Sequence, residues 1–326
     1  MWKPGDFFPQ FQINYLNTKK MKILVTGGAG FIGSHLCRKL LENGNIVVAV
    51  DNLTQGSEEL IKDLLDINSF TFIEADIFDT VKMQSLFKHN KFDMVYHLVA
   101  NTSVKNGGYS PMLDIRETLS STIEVLNHVA QYGVKKFMFA SSSTVYGTMD
   151  EVMRESSAHL QPISFYGAAK LAGEAFTSAF SSMYGIQMWV VRLSNVVGSD
   201  STHGIVHDIK MKLQQDTKEL HLLGDGTQAK PFIHVDDVVE GILHAINKLT
   251  DQYNVIQVGN EQQITIREVA EIILKELNLD TKIIFSDTAT TWAGDVGRYR
   301  YDVTKLKSLG WAPKWNTREA IRNSAK

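Results

Sequence analysis

A strand-forming run, Lys22–Thr26, passes directly into Gly27-Gly28-Ala29-Gly30-Phe31-Ile32-Gly33 and then into a helical pattern over Ile32–Glu42. This junction restricts the fold more than any other part of the chain. Glycines at Gly27, Gly30 and Gly33 let the backbone turn tightly and approach an anion, and the helix behind them offers its positive N-terminal end. A glycine triplet alone is also what a plain structural turn needs. Its place between a first strand and a first helix makes it a dinucleotide loop, with Phe31 and Ile32 carried on it. Asp51, followed by Asn52, ends the second strand Ile46–Val50. A carboxylate there accepts from both ribose hydroxyls and repels a 2′-phosphate, so the expected cofactor is NAD rather than NADP.

The same alternation continues along the chain. Strands are expected at Thr71–Glu74, Met94–His97, Phe137–Ala140, Met188–Arg192 and Asn254–Val258, with helices over Met112–Gln131 and Tyr166–Tyr184. Strands separated by helices predict an α/β fold: a Rossmann doubly wound parallel sheet with a smaller, discontinuous C-terminal lobe. We divide the chain into an N-terminal extension (1–20), a dinucleotide domain (21–193, with parts of 230–262 returning to it) and a second lobe (194–229 and 263–326). Thr265 and Glu268 form a capping-box pattern, after which Ile266, Val269, Ala270, Ile273, Leu274 and Leu277 share one helix face. The extension lacks helical or strand periodicity and reads as a tail or as an arm on a partner subunit. Asp76 and Ile77 close the third strand, where the acid either meets an adenine amino group or is simply solvated. His97 reads as a packing histidine rather than a catalyst.

Composition excludes several function classes. The net charge of −3 gives no basic excess for nucleic acid. The single cysteine, Cys37, rules out an internal disulfide framework. No apolar stretch approaches the roughly 18 residues of a spanning helix. A cytoplasmic protein without metal, nucleic-acid partner or membrane association is expected.

Ser141-Ser142-Ser143-Thr144-Val145-Tyr146-Gly147 follows the fifth strand at the sheet edge where ligands bind in open α/β folds. Further on, Tyr166 and Lys170 are four residues apart on one helix face. A free tyrosine titrates at about 10, and bringing it to about 7 takes about 4 kcal/mol of differential interaction. Lys170 and a positive nicotinamide would both favour the phenolate, making Tyr166 a base.

These ordered motifs resemble the nucleotide-sugar epimerase/dehydratase branch of the extended short-chain dehydrogenases/reductases over about residues 21–315. The resemblance implies that Ser142, Tyr166 and Lys170 are catalytic, and that Tyr166 and Lys170 also hold the cofactor. It implies a nucleotide-diphosphate sugar as substrate. Arg192-Leu193-Ser194-Asn195-Val196-Val197-Gly198 is similar to the family's R-x-x-N-x-x-G segment, whose Asn contacts the diphosphate. Leu223–Gln228, Phe232–Asp237, Gly294-Asp295-Val296, Asp302 and Leu309-Gly310-Trp311 are similar to its later signatures. Ser142, Ser143, Thr144, Asn195, Lys230, Arg298 and Tyr299 are therefore the expected substrate contacts.

Three departures stand out. Lys230 replaces an Arg, Thr291-Trp292-Ala293 replaces a segment that often holds another, and Thr118 sits where relatives often have Asn. Diphosphate binding then falls to Lys230 with Arg298 or Arg300. Lysine supplies a point charge without the bidentate fork of arginine.

In this family Tyr166 would take the C4 hydroxyl proton while C4 delivers hydride to NAD. Dehydratases usually add Asp-Glu after the catalytic residue, and decarboxylases a Glu. Here those positions are Ser143 and Thr144, which are not acids or bases near neutral pH. 4-Epimerisation of a UDP-glucose/UDP-galactose type of substrate is the expected reaction, with dehydration or 4-keto reduction as alternatives. A catalytically silent NAD-binding regulator is the alternative of a different class. Bulk at Tyr299 suits sugars without an N-acetyl group, unless Tyr299 is a packing residue. The resemblance also implies a homodimer through Met112–Gln131 and Tyr166–Tyr184.

Overall fold

The structure, a computed structural model, describes residues 20–102, 108, 110–149, 151–286 and 294–326. The extension, apart from Lys20, and Thr291-Trp292-Ala293 lie outside the described residues.

The chain alternates β1 (Lys22–Thr26), α1 (Phe31–Glu42), β2 (Ile46–Asp51), β3 (Phe70–Glu74), α2 (Thr80–His89) and β4 (Met94–His97). A helix over 111–131, here α3, leads to β5 (Lys136–Ser142), α4 (Phe165–Tyr184) and β6 (Gln187–Leu193). Together with β10 (Tyr253–Val258), these strands form one seven-stranded sheet in the order β3-β2-β1-β4-β5-β6-β10. All neighbours run parallel. The order reverses between β1 and β4, the point where doubly wound sheets open a crevice at their carboxyl edge.

The strands read as continuous apolar runs because both faces are covered. Along β1, Ile23 and Val25 pack into the cluster containing Leu36, Leu40, Trp189 and Ile242, whereas Leu24 packs into the opposite one with Val95, Leu126, Val129 and Phe139. This alternation is the period of two that a strand imposes.

After β6 come β7 (Asn195–Val197), α5 (Ile205–Gln215), β8 (Glu219–Leu222), β9 (Ala229–His234) and α6 (Val235–Lys248). Beyond β10 lie β11 (Gln263–Thr265), α7 (Ile266–Glu276), β12 (Lys282–Phe285), α8 (Thr304–Ser308) and α9 (Thr317–Ala325). β9 lies between β7 and β11 in a three-stranded sheet, so of the 230–262 stretch it is β10 that joins the large sheet. The capping box opens α7: Thr265 Oγ1 accepts from the Glu268 amide and the Glu268 carboxylate accepts from the Thr265 amide.

α3 is not the uninterrupted helix that periodicity suggests. Pro111–Asp114 and Ser121–Gln131 are α-helical, but Ile115–Ser120 forms a π turn between them. The Ser121 hydroxyl donates to the Glu117 carbonyl at 2.7 Å and the Thr122 hydroxyl to the Thr118 carbonyl at 2.6 Å. Hydroxyls that return to the preceding turn supply partners for carbonyls that a widened turn disturbs.

Candidate active site

The glycine loop has the shape its sequence predicts. Gly27 holds φ +76°, a left-handed conformation that side chains rarely adopt. A Cβ at Gly33 would lie 2.0 Å from the Gly27 carbonyl oxygen, so the loop folds tightly onto the start of α1. Gly30 caps α1 without a side chain, and the first turn carries no acid. That leaves the helix end open to an anion.

Asp51 closes β2, with one oxygen accepting from the Ala29 amide at 3.1 Å and the other from the Leu53 amide at 2.9 Å. Burial pushes its carboxyl up against these bonds. Asn52 donates to Asp76 at 3.2 Å, and Asp76 also accepts from the Phe78 amide. Ile77 is buried beside them. The cradle fits a dinucleotide: a side-chain-free turn, an open helix end and an acidic rim.

Register brings the catalytic half to the same edge. Thr26 stands opposite His97, and His97 opposite Phe139, so the glycine loop after β1 and Ser142 at the end of β5 flank the carboxyl end of β4. His97 is fully buried between Thr26 (2.7 Å) and Thr122 (3.1 Å), and burial, with Lys170 nearby, lowers it to about 3. It is a neutral packing histidine.

Ser142 ends β5, and its hydroxyl oxygen accepts from the Thr144 amide at 3.2 Å at the start of a 3-10 turn. Ser164 caps α4 by accepting from the Gly167 amide at 3.1 Å, which sets Tyr166 and Lys170 in the first turns. The Lys170 side chain is 1% exposed. Its ammonium donates to the Ala140 carbonyl at 2.7 Å and lies 5.7 Å from the Tyr166 ring centroid. Burial lowers Lys170 to about 7, opposed by Asp114 and Glu174.

Tyr166 is pushed up to about 12 by burial, with Asp114 adding to the rise, while a hydrogen bond with Ser142 works the other way. Desolvation and the buried Asp114 carboxylate thus oppose ionisation of the phenol, which Lys170 and a positive nicotinamide together are expected to favour.

The expected substrate contacts divide. Tyr299 is 5% exposed, and its hydroxyl accepts from Asn195 Nδ2 at 2.8 Å and from Ser143 Oγ at 3.4 Å. Those three converge beside Ser142. Thr144 Oγ1 is buried with no hydrogen-bond partner among the described residues. Lys230 pairs with Asp295 at 2.5 Å, and Arg298 donates to the Thr227 carbonyl at 3.1 Å. Lys230 would therefore meet a phosphate with its ammonium already paired to Asp295.

Two groups escaped sequence reasoning. Arg192 grips both oxygens of Glu174 at 2.9 and 2.7 Å and donates to the Tyr146 hydroxyl at 2.8 Å, all behind the Ser142 strand. Asp114 is fully buried on α3. The glycine-free, polar face of α3 gave no sign that one of its acids turns inward.

Residues 23–259 match the family model described as the NAD dependent epimerase/dehydratase family. The chain belongs to that family. Its cofactor is accordingly NAD, in agreement with the cradle. A putative UDP-glucose 4-epimerase of Methanocaldococcus jannaschii is 31% identical over 92% of this chain and 96% of its own length. A crystal structure of a UDP-galactose 4-epimerase superposes with TM-score 0.83 at 36% identity, covering 94% of this chain and 97% of that one. The UDP-glucuronic acid 4-epimerase of Bacillus cereus, in complex with UDP-glucuronic acid and NAD, gives TM-score 0.85 at 28% identity, covering 94% and 98%. No helix among the described residues is long and apolar enough to cross a membrane.

Proposed function

We propose that this family member interconverts the C4 epimers of a nucleoside-diphosphate hexose, of the UDP-glucose/UDP-galactose kind, through a transient 4-keto sugar. The observation carrying this reading is the meeting of Ser142, Tyr166 and Lys170 at the edge that holds the glycine loop, with Ser143 and Thr144 where an elimination would place acids. The turn at Gly27, Gly30 and Gly33 would let the backbone approach the pyrophosphate, with the amides of Phe31 and Ile32 at the open end of α1 facing it. Asp51 and Asn52 would hold the adenosine ribose, and Asp76 and Ile77 the adenine. Tyr166 and Lys170 would hold the nicotinamide ribose. NAD would supply a hydride acceptor for C4 and the return of that hydride to the opposite face of the keto sugar, and its positive charge would favour the Tyr166 phenolate.

Tyr166, as phenolate, removes the proton of the C4 hydroxyl, and Ser142 hydrogen-bonds the same oxygen. On return, Tyr166 gives the proton back. Lys170 stabilises the phenolate in between. Ser143, Thr144, Asn195, Lys230, Arg298 and Tyr299 are the proposed substrate contacts.

A homodimer is part of the proposal. α4 exposes Phe165, Phe176, Met183 and Tyr184, and α3 exposes Met112 and Ile115. Apolar side chains of that size on two adjacent helices suit a self-complementary contact.

Product analysis over UDP-glucose, UDP-galactose, UDP-glucuronate and UDP-N-acetylglucosamine tests the reading. Interconversion of the first two is expected, and Tyr166→Phe should lower turnover by about 10²–10⁴-fold with NAD retained. Wild-type turnover in Tyr166→Phe would remove Tyr166 from the role of base.

A further inference from the structure

The reaction as argued leaves Asp114 unused. This carboxyl lies in the first turn of α3 with no exposed surface. Its Oδ1 accepts from Asn101 Nδ2 at 2.9 Å, and its Oδ2 has no hydrogen-bond partner among the described residues. Asn101 is itself fixed, since its amide donates to Thr118 Oγ1 at 3.1 Å. A carboxylate buried with half of its acceptor capacity unused is unfavourable unless a positive charge compensates it.

α3 packs on α4 along this stretch, and Lys170 is the one lysine or arginine on α4. Asp114 and Lys170 sense one another's charge, and Asp114 also acts on Tyr166. Other groups facing the lysine are already committed. Glu174, one turn along α4, is held by Arg192 and by the Ser141 hydroxyl. His97 on β4 is neutral between two threonines. Ala140 on β5 contributes a carbonyl without charge. Asp114 is the anion facing Lys170 that no cation already neutralises through a bond.

We propose that Asp114 is the positioning residue of the Tyr166–Lys170 pair, the fixed counter-charge that keeps the Lys170 ammonium protonated and in place while Tyr166 loses and regains its proton. The proposal rests on Tyr166 being the base. It gives a role to the carboxylate that α3 places beside a phenol that must ionise. The same charge works in opposite senses on the two partners: it supports the ammonium and resists the phenolate.

The test is the pH profile of kcat/KM for Asp114→Asn, which preserves an oxygen for Asn101. The acid limb reports Tyr166 ionisation and the alkaline limb reports loss of the Lys170 proton. Removing the negative charge lowers both, so both limbs should move to lower pH. A displacement of about one pH unit corresponds to about a tenfold loss on the alkaline side. Asp114→Glu should restore the wild-type limbs.

The phenolate absorbance of the holoenzyme, read against Tyr166→Phe, gives a readout independent of turnover. Its onset should come at lower pH in Asp114→Asn. In a Lys170→Arg background the alkaline limb should no longer respond to Asp114→Asn, because arginine stays protonated. If Asp114→Asn does not fold, Asp114→Ser is read in the same way. Unmoved limbs and an unmoved phenolate onset, whatever the loss of activity, would reduce Asp114 to a structural residue. Full activity in Tyr166→Phe would instead sink the base assignment, a separate failure.

Discussion

Gly33 leaves no room for a methyl group, because the Gly27 carbonyl oxygen is 2.0 Å from where a Cβ would sit. Gly33→Ala must open the loop, and the purified variant is expected to lose its NAD on gel filtration while the wild type keeps it. Retention of NAD by the variant would mean that the cofactor does not sit on this turn. His35 gives a second residue-level expectation. Its ring nitrogens donate to Asp200 at 3.0 Å and to Asp236 at 2.9 Å, joining α1 to the loop after β7 and to α6. Burial alone would lower its pKa, but the two carboxylates overcome that and raise it from 6.5 to about 9. A raised folded-state pKa stabilises fully below the unfolded value, and the contribution disappears as pH rises through about 9. The melting temperature lost in His35→Gln should therefore be large at about pH 6 and small at about pH 10. An equal loss at both would contradict the clamp. The tight glycine turn and the place of Asp51 at the end of β2 were legible because local backbone chemistry fixes them. Asp200 and Asp236 were not, since only tertiary packing brings them to His35.

At the scale of elements, the strand behind Ser142 depends on a buried ion pair. Arg192 on β6 and Glu174 on α4 are 5% and 6% exposed, and their bonds extend to Ser141 and Tyr146. Removing one partner of such a pair leaves an uncompensated charge and costs about 3–5 kcal/mol. Arg192→Met should lose that much in denaturant unfolding, far more than an exposed pair such as Lys62–Glu59. A loss below about 1 kcal/mol would show the network to be dispensable. The resemblance assigned the Arg192 segment to substrate through Asn195, and nothing in the spacing revealed that Arg192 turns back to Glu174. α3 makes the same point. Its periodicity located the helix, but the π turn at Ile115–Ser120 depends on Ser121 and Thr122 bonding backwards, which no hydrophobic pattern encodes.

For the whole molecule, parallel strands with helical crossovers left few topologies open, and apolar runs such as Ile46–Val50 foreshadow a sheet covered on both faces, though not its order β3-β2-β1-β4-β5-β6-β10. The return of β10 to the large sheet was visible in Asn254–Val258. The pairing of β9 with β7 and β11 was not, because strands as short as Asn195–Val197 carry too little pattern. The exposed faces of α3 and α4 predict that the protein sediments as a dimer and that Phe176→Glu sediments as a monomer. A monomeric wild type at micromolar concentration would contradict that assembly.

The central claim concerns where one hydrogen goes. Proton NMR of the enzyme with NAD and UDP-glucose deuterated at C4, followed to equilibrium in ordinary water, reads it directly. The account predicts UDP-galactose that keeps the deuterium at C4, because the hydride leaves and returns within one site. Loss of water from the sugar, or washout of the C4 label, would contradict it.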